Sequence, residues 1–168
     1  MLTSCFIKWF FDFLSFPIDI RNICVFLAPG FSTFQCYSTY LLAKESTNRH
    51  DAGLYSALFI AVIPSIISRG CAGSYDNEAV SIWAMIHTFY LWIKACNTGS
   101  ILWSLLCAIN YFYMVASWGG YSFLINIIPV HVLGMMFINK LNLKIYVAYS
   151  VFYTMGSLMA MLITFVNF

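Results

Sequence analysis

Ser68-Arg69-Gly70-Cys71-Ala72-Gly73-Ser74-Tyr75-Asp76-Asn77-Glu78 is the stretch on which the fold turns, because three formal charges crowd into a few residues between two apolar runs. Ionised groups cost several kcal/mol when buried in hydrocarbon, so such a stretch belongs at a bilayer surface with membrane on either side. The remainder of the chain reads as membrane built around it. With 62% hydrophobic, 19% aromatic and 8% charged residues and a mean hydropathy of +0.84, 168 residues cannot hide their apolar surface in one soluble domain. The expected class is all-α: a polytopic transmembrane helix bundle of about six spans plus an N-terminal interfacial helix. A net charge of +2 without a basic tract gives no footing for nucleic-acid binding.

The flanking segments give the order of spans. Phe6, Trp9, Phe10, Phe13 and Leu14 recur at helical spacing with Lys8 and Asp12 opposite, a pattern for an interfacial helix over residues 1–16 rather than a removed signal peptide. Pro17 then opens a new element. Spans follow at about 23–42, 53–67, 79–93, 101–117, 122–138 and 145–166, the fifth interrupted by Pro129. Lys94 closes the third span and Asn97-Thr98-Gly99 turns after it. If spans alternate in direction, the loops holding Lys44 and Arg49, Lys94, and Lys140 and Lys144 share a face, which the bias of basic residues makes cytosolic. The loop 68–78 and the turn Trp118-Gly119-Gly120-Tyr121 then lie on the luminal or extracellular side.

Asp76 and Glu78 stand two residues apart. On extended backbone both point to one face; on a helix they diverge by about 200°. A loop can therefore use the pair to hold a divalent cation through hard oxygens of the kind that suits Mg²⁺ or Mn²⁺. The same spacing also suits Asp76 as the N-cap of a helix starting at Asn77, with Glu78 complementing its dipole. Arg69 can neutralise a phosphate or brace the carboxylates, or it can snorkel to the headgroups. His87 and His131 sit in apolar runs, where a histidine is more often bonded to a neighbouring helix than catalytic. Trp118 and Tyr121 read as interfacial anchors. The six cysteines show no metal or disulfide spacing.

Three ordered motifs carry a resemblance: the stretch 68–78; Pro17-Ile18-Asp19-Ile20-Arg21-Asn22-Ile23-Cys24-Val25-Phe26-Leu27-Ala28-Pro29 before it; and Tyr111-Phe112-Tyr113-Met114-Val115-Ala116-Ser117-Trp118-Gly119-Gly120-Tyr121 after it. Together with Ile145-Tyr146-Val147-Ala148-Tyr149-Ser150 they make the chain, from about Phe13 to its end, closely resemble the catalytic subunit of the eukaryotic oligosaccharyltransferase. The resemblance implies a multispanning glycosyltransferase of the endoplasmic reticulum. Such an enzyme moves a preassembled oligosaccharide from dolichyl diphosphate to asparagine in Asn-x-Ser/Thr sequons and works beside other subunits. It implies that Asp76 and Glu78 are the second acidic motif, helping to hold Mn²⁺ or Mg²⁺, that Arg69 is important in catalysis, and that Trp118 and Tyr121 lie near the lipid-linked donor. It also implies a fragment, covering about the second through seventh of thirteen spans and inactive alone. The first acidic motif, a later luminal glutamate and the soluble luminal domain with its Trp-Trp-Asp signature would lie outside it. The reading from another class is a non-catalytic membrane scaffold or small transporter, in which the acidic pair only caps a helix.

Overall fold

A computed structural model describes residues 2–16 and 18–163; expectations placed on Met1, Pro17 and 164–166 fall outside it. The fold is all-α. Among the described residues the chain forms α1 (Leu2–Phe13), α2 (Ile20–Thr47), α3 (His50–Val62), α4 (Pro64–Arg69), α5 (Asn77–Thr98), α6 (Ile101–Ser117), α7 (Tyr121–Phe137) and α8 (Leu143–Ala160).

At the centre stands α5, which packs against α2, α6 and α8. Small side chains allow the close approach: Ser81, Ala84, Thr88 and Ala95 of α5 and Ser104, Cys107 and Ala108 of α6 are fully buried. Small residues at helix contacts let backbones near one another where no hydrophobic force separates helix from lipid. Tyr111 and Phe152 fill the space between α6 and α8 edge-to-face, with ring centroids 5.7 Å apart. In contrast, Leu54, Tyr55, Leu58, Phe59 and Val62 of α3 all face outward. That helix meets α2 at Gly53, where an added Cβ would stand 2.8 Å from the Tyr40 ring.

Several boundaries depart from expectation, each for a local reason. The run expected as one span over 53–67 is broken in two, because Pro64 has no N–H to continue α3 and pushes Ile63 to extended backbone (ψ 122°). The helix expected to close at Lys94 runs on to Thr98. Lys94 stays inside it by donating to the Tyr90 hydroxyl at 2.8 Å and lying 4.2 Å from the centroid of the Trp103 ring, so its charge is carried on aromatic faces. Gly99, at φ +70°, then ends the helix in the left-handed conformation that glycine adopts without strain. The element expected at 23–42 is the longer α2, with Pro29 inside it. The element expected at 145–166 starts two residues early and is helical to Ala160.

Among the described residues, α5 alone is by length and composition long and apolar enough to cross a membrane; α6 and α7 are shorter apolar helices. The apolar residues of α1 (Phe6, Trp9, Phe10, Phe13) are exposed. Its opposite side is tied down, with Thr3 Oγ1 3.0 Å from the Tyr113 hydroxyl and Ser4 Oγ 2.8 Å from that of Tyr75.

Candidate catalytic centre

A proline in one helix shapes the loop at another's start. Pro29 has no N–H, so the Val25 carbonyl one turn earlier in α2 has lost its helical donor. The Gly73 N–H donates to that carbonyl at 3.2 Å. Gly73 reaches it at φ +93°, a conformation strained for other residues. The loop 70–76 is thus fixed to α2 by a main-chain bond, and from the other side by the Tyr75 hydroxyl against Ser4.

Three charged groups meet around this loop. Arg69 is the last residue of α4, where the Gly70 N–H caps back to the Ile66 carbonyl at 2.8 Å. Asp76 is the N-cap of α5, extended at φ −122° and ψ 150°, and its Oδ1 accepts the Asn77 N–H at 2.7 Å. Glu78 lies in the first turn. Its Oε2 pairs with Arg69 Nη1, and Asp76 Oδ2 stands 3.7 Å from the same nitrogen. Because Asp76 is extended and the helix begins one residue later, the two carboxylates straddle the junction. That is why one guanidinium reaches both.

Both readings of Asp76 were open in the sequence, and capping is realised; the cap uses one oxygen and leaves the other turned to the charge cluster. Arg69 does not merely snorkel. It braces the pair. One guanidinium against two carboxylates leaves an uncompensated negative charge at a half-exposed position, and hard carboxylate oxygens there fit the donor chemistry of Mg²⁺ or Mn²⁺. In number the set is incomplete, since no group of three or more His, Cys, Asp or Glu converges among the described residues.

Trp118 and Tyr121 lie at the same end of the bundle, where α6 ends and α7 begins. Trp118 is exposed and its ring folds over Gly120, leaving no room for a Cβ there. Tyr121 packs against the core instead. No hydrogen bond or ion pair joins either to Arg69, Asp76 or Glu78 among the described residues. His87 and His131 bond across helices: His87 Nδ1 is 3.2 Å from Ser38 Oγ, and His131 Nδ1 accepts from Trp92 Nε1 at 3.4 Å.

All 168 residues match the family model described as oligosaccharyl transferase STT3, N-terminal. The chain belongs to the STT3 family. Among its relatives, the dolichyl-diphosphooligosaccharide–protein glycosyltransferase subunit stt-3 of Caenorhabditis elegans is 48% identical over 168 residues, which is 100% of this chain and 22% of the relative. Subunit STT3A of Oryza sativa subsp. japonica is 47% identical over 167 residues, 99% of this chain and 21% of the relative. Subunit STT3 of Dictyostelium discoideum is 42% identical over the whole chain, 23% of its own length. The chain therefore spans less than a quarter of these STT3 relatives.

Sequence reasoning missed what holds this STT3 loop in place. Tyr75 belongs to the stretch 68–78 and Ser4 to an apolar helix 71 residues earlier, and nothing in their spacing links them. The Pro29 and Gly73 pairing had a readable half: a proline inside a helix frees the carbonyl four residues earlier. Which donor takes that carbonyl is set by the tertiary fold.

Proposed function

We propose that this segment forms part of an oligosaccharyltransferase catalytic subunit in the endoplasmic reticulum membrane, with the loop 68–78 on the luminal side. The whole protein transfers a preassembled oligosaccharide from dolichyl diphosphate to the asparagine of Asn-x-Ser/Thr sequons, in company with other subunits. The observation that carries this reading is the convergence of Arg69, Asp76 and Glu78 on one loop, within a chain of the STT3 family.

Asp76 and Glu78 would hold the catalytic Mn²⁺ or Mg²⁺, with further ligands from substrate, water or the rest of the full-length protein. When bound, the cation neutralises charge developing on the departing diphosphate. This chain's own part is positioning. The Gly73 bond to α2 and the Asp76 cap fix the loop at the head of α5, so the carboxylates need little reorganisation as charge develops. Arg69 keeps both acids on one side, and its remaining N–H groups are free to donate to a phosphate oxygen. Trp118 and Tyr121, at the same end of the bundle, would border the lipid-linked donor. Two carboxylates are fewer ligands than such a cation takes, so the segment by itself should not catalyse transfer.

On this reading the chain crosses six times, with α3 and α4 acting as one interrupted crossing and α1 lying along the interface. Accessibility tags near Asp76 and Lys140 should label opposite faces; labelling of both from one side would sink this topology. In the full-length protein, Asp76→Ala should lower transfer to a sequon peptide by about 100-fold or more. Near-normal turnover would favour the second reading, a non-catalytic scaffold or small transporter, which the cap bond from Asn77 to Asp76 by itself also satisfies.

A further inference from the structure

The end of the bundle remote from Arg69 holds a cleft of about 920 Å³ among the C-terminal ends of α2, α5 and α7 and the start of α8. We propose that it binds the phosphodiester of a membrane phospholipid, with Lys140 and Lys144 as the cationic contacts. Both lysines line the cleft, and neither makes an ion pair among the described residues. Glu45 also lines it, and its carboxylate accepts from Asn97 Nδ2 at 3.3 Å. Two ammonium groups against one carboxylate leave a net charge that matches a singly charged phosphodiester.

Neutral donors point to the same chemistry. His131, another lining residue, takes the Trp92 N–H on Nδ1, so in the neutral ring Nε2 carries the proton as a donor. Asn142 caps α8 without a side-chain hydrogen bond to it, and the helix's first backbone bonds to Asn142 come from Ile145 and Tyr146. The N–H groups of Leu143 and Lys144 have no acceptor within the helix, and amides in that position attract anions. Ile93, Met135, Leu143 and Ile145 also line it, giving apolar surface beside the charges for acyl chains. Lys144 is held there by its own stem, which lies over Gly99 so closely that a Cβ at Gly99 would stand 2.7 Å from Lys144 Cγ.

The test uses the full-length protein, purified, delipidated and shown to be folded by its thermal transition. It is titrated with dioctanoyl phosphatidylglycerol, dioctanoylglycerol and inorganic phosphate, and bound molecules are counted by native mass spectrometry. The phospholipid should bind, and Lys140→Gln with Lys144→Gln should weaken it by roughly 30-fold, about fivefold per lysine. Lys140→Arg with Lys144→Arg should retain it, which a merely structural role for lysine would not require. A diazirine-bearing phosphatidylglycerol should crosslink within 135–145. Equal binding of dioctanoylglycerol would overturn the proposal in favour of an apolar groove. Inorganic phosphate binding as tightly as the lipid would make it a site for a free anion. No change in the glutamine variant, or crosslinks only elsewhere, would show the cleft to be filled by other protein in the intact molecule. Sequon-peptide transfer is a separate readout, so failure here leaves the glycosyltransferase reading standing.

Discussion

The two ends of this bundle carry charge in opposite ways. At one, Arg69 is matched against two carboxylates on a loop tied by main-chain and side-chain bonds to α2 and α1. At the other, Lys140 and Lys144 line a cleft and make no ion pair among the described residues. The first arrangement is built for fixed geometry with a residual negative charge. The second offers two positive charges against the single carboxylate of Glu45. Fixed donors suit stabilising a charge that develops during reaction, whereas an excess of ammonium over carboxylate suits holding an anionic headgroup.

The difference can be broken from the fixed end first. Removing divalent cations from the full-length protein with a chelator should abolish transfer to a sequon peptide, and Mn²⁺ or Mg²⁺ should restore it; persistent transfer in chelator would deny the acidic pair its assigned purpose. Next in size, Arg69→Ala should cut turnover by about 10- to 100-fold while leaving the amount of folded protein nearly unchanged. Arg69→Lys should recover part of it, because an ammonium supplies charge without the planar fork. If instead the alanine variant loses expression and keeps specific activity, Arg69 is an anchor.

Smaller effects should follow from loosening the loop. Gly73→Ala places a side chain at φ +93°, at a cost of about 1–2 kcal/mol in local stability. Turnover should fall several-fold with little change in the metal concentration needed for half-activation. Pro29→Ala gives Val25 a helical donor that competes with Gly73. Faster hydrogen exchange at the Gly73 amide would mark the loosened loop, and unchanged exchange would show that the bond to Val25 does not hold it. The least effect is expected from pairing Ser4→Ala with Tyr75→Phe, where a double-mutant cycle should give about 1 kcal/mol of coupling.

How much of this was legible in the sequence differs between the same two ends. Asp76 as a cap and Glu78 in the first turn follow from local preference, and the helix begins at Asn77 as that preference requires. The bounds of α6 were equally local, set by Asn97-Thr98-Gly99 before it and Trp118-Gly119-Gly120 after it. Non-local contacts decided the rest. Lys94 looked like a terminator, but Tyr90 and Trp103 keep its charge satisfied within the helix. The break at Pro64 was present in the sequence, yet the apolar run around it reads as continuous when hydropathy alone is followed. Three charges near one another were visible from the start. Their closure on a single guanidinium nitrogen depends on where α4 lies against α5, which spacing along the chain does not encode.

Asp76→Asn separates the two uses of that side chain most directly, because asparagine caps a helix about as well as aspartate but lacks its charge. Sequon-peptide transfer by the full-length variant should be measured against Mn²⁺ concentration. The expected result is an unchanged thermal transition, turnover reduced at least tenfold and half-activation moved to higher Mn²⁺. Wild-type turnover with an unshifted Mn²⁺ curve would contradict the account, leaving Asp76 as a helix cap and nothing more.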